Sequence, residues 1–178
     1  MTDAAPLGRD EIIGLLIEVA DQLVDLDERP TIAVVGGSFL ALRGLRAGTK
    51  DVDSVRRLDS VVKAAVEEVA RRHDLDSTWL NDKAAGYFPQ GCAWDEEIFL
   101  DLPTLLVVGP HPDAVFLMKL YAVGAARLHD YDDLVLLWPS CSFTAPGAAA
   151  AAFAAGYPHA PEDPYLESYI AGIAAAAV

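Results

Sequence analysis

The sequence predicts a mixed α/β (α+β) fold, in which a mixed sheet is flanked by helices and followed by a C-terminal helical tail. Three observations predict it: helical periodicity over residues 10–26, a continuous β-branched run over residues 31–35, and strand-helix alternation that gives way to helices alone. The chain has 178 residues, of which 53% are hydrophobic, so it can bury a sizeable core and extensive disorder is excluded.

The N-terminal elements follow from apolar spacing. Apolar residues at three- and four-residue steps over 10–26 predict an amphipathic helix that ends before Pro30. Residues 31–35 predict a central strand that is covered on both faces. Gly36 and Gly37 then mark the change to a short helix, for which Ser38 is the expected N-cap.

The middle of the chain predicts a second strand over residues 49–55 and a helix that Asp59 caps and that runs to about His73. An irregular segment follows Trp79. Two strands over residues 96–101 and 104–108 are expected to form a hairpin around Pro103.

Helices dominate the rest of the chain. The sequence predicts four of them, the last with Asp163 as its N-cap, over residues 113–128, from Asp130 to Pro139, 147–156 and 165–177. Because the composition shifts to Ala, Pro and Gly after Pro139, we expect a main domain over residues 1–138 and a helical extension packed on it over residues 139–178.

Composition limits the partners and the compartment. Thirteen Lys and Arg against 27 Asp and Glu give a net charge of −14, which argues against non-specific binding to nucleic acid or anionic membrane. The chain has two cysteines, Cys92 and Cys141, which are too few to stabilise a domain of this size by disulfide bonds. This favours a reducing compartment, so we expect a cytoplasmic protein. No run of apolar residues is long enough to span a membrane.

The candidate site combines two acids with a glycine turn. Asp51 and Asp53 are expected on one face of a strand, about 7 Å apart, where both carboxylates reach shared cations. Gly36 and Gly37 permit close backbone approach, and the helix start after Ser38 suits phosphate. Five basic residues accompany them and could neutralise phosphates, namely Arg43, Arg46, Lys50, Arg56 and Arg57. Together these features predict a site for Mg²⁺ or Mn²⁺ and a nucleoside triphosphate, although each part alone also fits a turn, a cap or a solvated strand end.

The segment Gly36-Gly37-Ser38, followed by Asp51-Val52-Asp53, resembles the signature of the DNA polymerase β-like nucleotidyltransferase superfamily. Its wider context, residues 32–53, is similar to minimal bacterial nucleotidyltransferase-like proteins related to AbiEii-type toxins and the DUF6036 group. A second similar block comprises residues 118–122, Arg127 and residues 130–134, so the resemblance spans roughly residues 30–138.

The resemblance implies residue roles. Asp51 and Asp53 would bind metal, residues 36–38 and Lys50 would face the nucleotide, and Lys119 would contact the triphosphate or its leaving group. Asp130 or Asp133 would support the site, and Asp101 is the candidate for the third carboxylate that active members add. Lys119 also fits the alternative of a lysine extending from a packed helix, and the two aspartates fit a helix N-terminus.

The implied function is transfer of a nucleoside monophosphate from a Mg²⁺-bound triphosphate to a hydroxyl acceptor that no residue identifies. The alternative is a catalytically inactive nucleotidyltransferase-like module that acts through protein partners, as in toxin-antitoxin or phage-defence pairs. The run Ser54-Val55-Arg56-Arg57 is more polar than the family's strand and keeps this alternative open. The Ala-rich helices over residues 147–177 offer a surface for a homo-oligomer or another protein.

Overall fold

The structure is a computed structural model, and it describes residues 6–24, 26–124 and 130–177. The chain divides into two compact units. The first comprises Met1–Gly86 and Trp94–Gly109, and the second comprises Tyr87–Ala93 and Pro110–Val178. The boundary expected after residue 138 falls inside the second unit, so the Ala- and Pro-rich residues group with the helices that precede them.

The first unit contains a mixed five-stranded sheet, which confirms the predicted α/β class. In chain order its strands are β1 (Thr31–Val35), β2 (Val52–Ser54), β3 (Leu80–Asn81), β4 (Glu97–Leu102) and β5 (Leu105–Gly109). Their order in the sheet is β3-β2-β1-β5-β4. Strand β1 runs parallel to β5 and antiparallel to β2, β3 is parallel to β2, and β4 and β5 form the predicted antiparallel hairpin.

The central position of β1 follows from its composition. Residues 32–35 are at most 1% exposed, because an uninterrupted apolar strand requires cover on both faces. Three helices accompany the sheet in the first unit, namely α1 (Arg9–Gln22), α2 (Gly36–Leu42) and α3 (Ser60–His73). Asp59 caps α3 as predicted, since its side chain accepts the Val62 N–H at 2.9 Å.

Three local predictions in this unit are corrected. Helix α2 begins at Gly36 with Val35 as its N-cap, because the positive φ of Gly36 turns the chain directly after β1, so Ser38 is not the cap. The second strand covers three residues rather than the seven expected over 49–55, since Thr49 pairs only in an isolated bridge with Leu7. Strand β3 lies in the segment that was expected to be irregular.

The second unit is helical. Its helices are α4 (Pro112–Gly124), α5 (Asp130–Leu137), α6 (Pro146–Gly156) and α7 (Leu166–Ala176). The predicted end of α4 at residue 128 lies outside the described residues. Asp163 is not the N-cap of α7, which begins one residue later than expected, because the Asp163 carboxylate accepts the Tyr165 N–H within the preceding turn. In the described part of the chain, every helix is too short or too polar to cross a membrane.

Candidate functional site

The two acids of the candidate site lie on one face of the chain at β2. Asp53 is opposite Val35, the last residue of β1, and Asp51 lies two residues before it. Both aspartates are half-buried, whereas Val52 and Ser54, whose side chains alternate with theirs, are fully buried. Asp53 therefore lies beside Gly36 at the start of α2, and side-chain alternation predicts that Asp51 faces the same side.

Gly36 makes room for the Asp53 carboxylate. Its backbone has a φ of 66°, a conformation that residues with a Cβ atom rarely adopt. A Cβ added to Gly36 would lie 3.1 Å from Oδ2 of Asp53, tighter than an ordinary van der Waals contact. Glycine is thus required at this position both by the turn and by the neighbouring acid.

Ser38 fixes the backbone beneath the acid. Its side chain is fully buried, and its hydroxyl donates to the Val35 carbonyl at 2.8 Å. The same oxygen accepts the N–H of Asp53 at 3.3 Å. The hydroxyl therefore joins the end of β1 to β2 and holds Asp53 in place, which differs from the phosphate-facing role that the resemblance implies.

Gly37 lies against the segment that leads to the acids. A Cβ at Gly37 would come 2.7 Å from Oγ1 of Thr49 and 3.3 Å from Nη1 of Arg46. Thr49 is buried, and its backbone pairs with Leu7 in both directions, at 2.6 and 3.0 Å. The backbone hydrogen bonds of Leu7 thus hold the loop that immediately precedes Asp51 in position.

The basic residues of this stretch have different surroundings. Arg43 pairs with Glu97 at 3.2 Å, and its guanidinium lies 5.5 Å from the centre of the Phe39 ring. Arg56 is exposed and lies 4.9 Å from the centre of the Trp94 ring. Three further basic side chains are exposed, namely Arg46, Lys50 and Arg57. Arg46 and Lys50 belong to the loop between α2 and the acids. The Nη1 atom of Arg46 lies 3.3 Å from the Cβ position of Gly37, which places one cation of an acidic protein beside the site.

The structure does not bring Asp101 to this site. Asp101 in β4 is opposite Leu106 in β5, which is opposite Thr31 at the start of β1. Asp53 is opposite the end of β1, so strand geometry separates the two acids by on the order of 20 Å. The Asp101 carboxylate instead accepts a hydrogen bond from Arg29 at 2.6 Å. Asp101 is therefore not a ligand of a cation held by Asp51 and Asp53.

The chemistry of the two remaining acids fits a hard cation. In the part of the chain that the structure describes, no three His, Cys, Asp or Glu side chains converge as a metal site. Mg²⁺ nevertheless binds commonly through one or two carboxylates, with substrate phosphates and water as its other ligands. Asp51 and Asp53 thus suit a Mg²⁺ or Mn²⁺ that binds together with a triphosphate.

Lys119, Asp130 and Asp133 form a cluster within the second unit. The Lys119 ammonium on α4 lies 2.7 Å from a carboxylate oxygen of each aspartate on α5. Its side chain is 9% exposed, and that of Asp133 is 5% exposed. The second block of the resemblance is therefore a buried ion-pair cluster that joins α4 to α5. Its predicted contact with a triphosphate stays a prediction, and Arg127 lies outside the described residues.

Comparisons with known proteins gave no match: no family model fits the chain, and no curated protein and no solved structure is significantly similar to it. The resemblance to nucleotidyltransferases therefore rests on the motif residues alone.

Sequence reasoning missed the parts of the site that long-range contacts build. Neither the burial of Thr49 against Gly37 nor its pairing with Leu7 has a signal in the local pattern. The role of Ser38 also escapes prediction, because a serine after a strand is typical of a helix cap. A buried hydroxyl that bridges two strands is visible only once both strands are positioned.

Proposed function

We propose that this protein binds a Mg²⁺-nucleoside triphosphate at Asp51 and Asp53 and transfers the nucleoside monophosphate to a hydroxyl acceptor. The acceptor oxygen replaces the β-phosphate at the α-phosphorus, so pyrophosphate leaves and the hydroxyl proton passes to water. The observation that carries the proposal is the packing of the Asp53 carboxylate against Gly36. Side-chain alternation along the chain predicts that Asp51 lies on the same face. Two half-buried acids beside a glycine turn combine cation ligands with a backbone that a phosphate can approach closely.

The residues of the chain have separate tasks in this proposal. Asp51 and Asp53 hold the cation, and Ser38 fixes the backbone of Asp53 from below. Gly36 allows the Asp53 carboxylate to pack against the turn, and the exposed Arg46 guanidinium close to Gly37 offsets part of the phosphate charge. When bound, the metal ion supplies charge neutralisation at the α-phosphate and favours attack by the acceptor oxygen.

The test is incorporation of label from the four α-labelled nucleoside triphosphates into protein, RNA and small-molecule fractions. We expect Mg²⁺-dependent incorporation into one fraction by the wild-type protein and a loss of at least about a hundredfold in Asp53→Asn, since the charge that holds the cation is removed. Asp101→Asn is the matched control and should retain wild-type incorporation. Equal incorporation by Asp53→Asn and Asp101→Asn would contradict the proposed site.

The same proposal extends to compartment and partners. We expect the reaction in the cytoplasm, in keeping with two cysteines in 178 residues. A net charge of −14 favours a protein or small-molecule acceptor over free-standing nucleic acid.

A second candidate function is a catalytically inactive module that acts through protein partners, of the toxin-antitoxin or phage-defence type. The observation that favours it is the position of Asp101, which pairs with Arg29 at the other end of the sheet from Asp53. Nucleotide binding without transfer to any fraction would support this second function.

A further inference from the structure

The sheet of the first unit has two edges of different character. Strand β3 at one edge has two residues, both of which are buried. Strand β4 at the other edge has six residues, and Ile98 on it is 62% exposed. A long, accessible edge strand can accept a further strand, whereas a short, buried one cannot.

The register shows which backbone groups of β4 point outward. The N–H of Leu106 in β5 donates to the Pro30 carbonyl at 3.0 Å, so the backbone of Leu106 faces β1. Asp101 is opposite Leu106 in an antiparallel pair. Because the N–H and carbonyl of Leu106 face β1, this pair is not hydrogen-bonded, and the N–H and carbonyl of Asp101 face the opposite direction. The N–H and carbonyl of Asp101 therefore lie on the outer edge of the sheet, where they are available to an added strand.

The side chains along this edge are apolar and acidic. Ile98 is exposed, and Asp101 has a side chain that is 60% exposed beside Arg29. Two further exposed acids, Asp95 and Glu96, come directly before the strand. Ile98 and Asp101 are opposite Val108 and Leu106, which are two residues apart, so the two side chains share one face of the sheet. The edge thus matches an extended segment that carries apolar and basic residues together on that face.

We propose that β4 binds an extended, basic and apolar segment of another protein by strand addition. This inference does not depend on nucleotide transfer at Asp51 and Asp53. Main-chain hydrogen bonds to Asp101 would supply affinity, and the acids around Ile98 would select basic partners.

A second copy of this chain fits the edge less well. Antiparallel pairing of β4 with itself would bring the acids at the start of one strand close to Asp101 of the other copy. Like charges in such positions destabilise strand pairing, and each chain already carries a net charge of −14.

The probe is a fluorescent eight-residue peptide, Thr-Val-Thr-Lys-Thr-Val-Thr-Lys, whose valine and lysine side chains share one face of an extended strand. Its binding to the full chain is measured by anisotropy. Asp101→Pro removes the outward N–H and the carboxylate, whereas Asp101→Ala removes the carboxylate alone. Proline is tolerated on edge strands where the N–H faces solvent, and far-ultraviolet circular dichroism checks that both variants fold.

We expect Asp101→Pro to bind at least about tenfold more weakly than Asp101→Ala, because one main-chain hydrogen bond is lost. If the two variants bind the peptide with equal affinity, the main chain of Asp101 does not contribute to binding, and the proposal is overturned.

N-methylated peptides give a test that leaves the protein unchanged. Methyl groups on every second backbone nitrogen block one edge of the peptide, and the complementary set blocks the other edge. We expect one set to lose at least about tenfold in affinity while the other stays within about threefold. Equal affinities for the two sets would contradict strand addition. If wild type forms a dimer and Asp101→Pro is monomeric, β4 binds a second copy of this chain. That result would overturn the proposed partner.

Discussion

The Asp53 carboxylate packs against the bare Cα of Gly36, so that a Cβ at Gly36 would lie 3.1 Å from Oδ2 of Asp53. The contact joins the end of the central strand to its antiparallel neighbour. It also makes the conformation of the turn and the position of a proposed metal ligand depend on each other.

Replacing Gly36 with alanine tests this dependence. Gly36→Ala should lower the free energy of unfolding by more than the roughly 1–2 kcal/mol that a left-handed residue costs, because the new methyl group also displaces Asp53. Chemical denaturation measures the change. Gly44→Ala is the matched control, since Gly44 has a similar φ of 71° and no atom within 4 Å of its Cβ position. Equal losses in the two variants would show that the contact with Asp53 has no energetic effect.

Elements with strong local patterns could be predicted from the sequence. Strand β1 has the bounds that its β-branched run predicts, and Asp59 caps α3 as expected. The hairpin around Pro103 is also confirmed. Predicted boundaries were wrong where a long-range contact or a backbone conformation decides them. At Gly36, a positive φ starts α2 three residues before the start expected with Ser38 as N-cap.

Lys119 supports the second unit through its two acidic partners. Lys119→Met should lower the free energy of unfolding by about 3–5 kcal/mol, because it leaves Asp130 and the buried Asp133 without their cation. Urea denaturation followed by circular dichroism measures the loss, and adding Asp130→Asn with Asp133→Asn should recover part of it.

The control for Lys119 is an exposed lysine with an acidic partner. Lys63 is 52% exposed and pairs with Asp82 at 3.1 Å. Lys63→Met should cost less than about 1 kcal/mol, since exposed ion pairs contribute little. If Lys119→Met costs no more than Lys63→Met, the cluster on α4 and α5 is not a structural support.

Asp82 gives the first unit a defined dependence on pH. The N–H of Leu58, which donates to its carboxylate at 3.0 Å, holds the pKa of Asp82 below its ordinary value, and the Lys63 ammonium adds to this effect. A lowered pKa stabilises the folded state above the unfolded pKa of about 3.9, and the contribution disappears as the pH falls through the lower, folded value.

Asp82→Asn should therefore be less stable than wild type at pH 7, by on the order of 1 kcal/mol, and the difference should shrink below about pH 4. Thermal unfolding across pH 2–7 is the measurement. Lys63→Met should keep most of the pH dependence, because the Leu58 N–H is the larger cause. If the stability difference between wild type and Asp82→Asn stays constant from pH 2 to pH 7, the titration of Asp82 does not cause the pH dependence.

For the candidate site, the local sequence predicts the two acids but not the residues that support them, and metal binding by the acids stays a prediction. The alternation of side chains places Asp51 and Asp53 on one face, a rule that needs no tertiary information. The resemblance implies Asp101 as a third carboxylate, but the order of the strands in the sheet decides its distance from the pair. Lys119 likewise has its partners within its own unit, which no local pattern indicates.

Calorimetric titration with each of the four nucleoside triphosphates at millimolar Mg²⁺ measures the proposed binding itself. We expect wild type and Asp101→Asn to bind at least one triphosphate, and chelation of Mg²⁺ to abolish the binding. Asp51→Asn or Asp53→Asn should weaken it at least about tenfold while the fold is retained. A wild-type protein that binds none of the four triphosphates would contradict the proposed function.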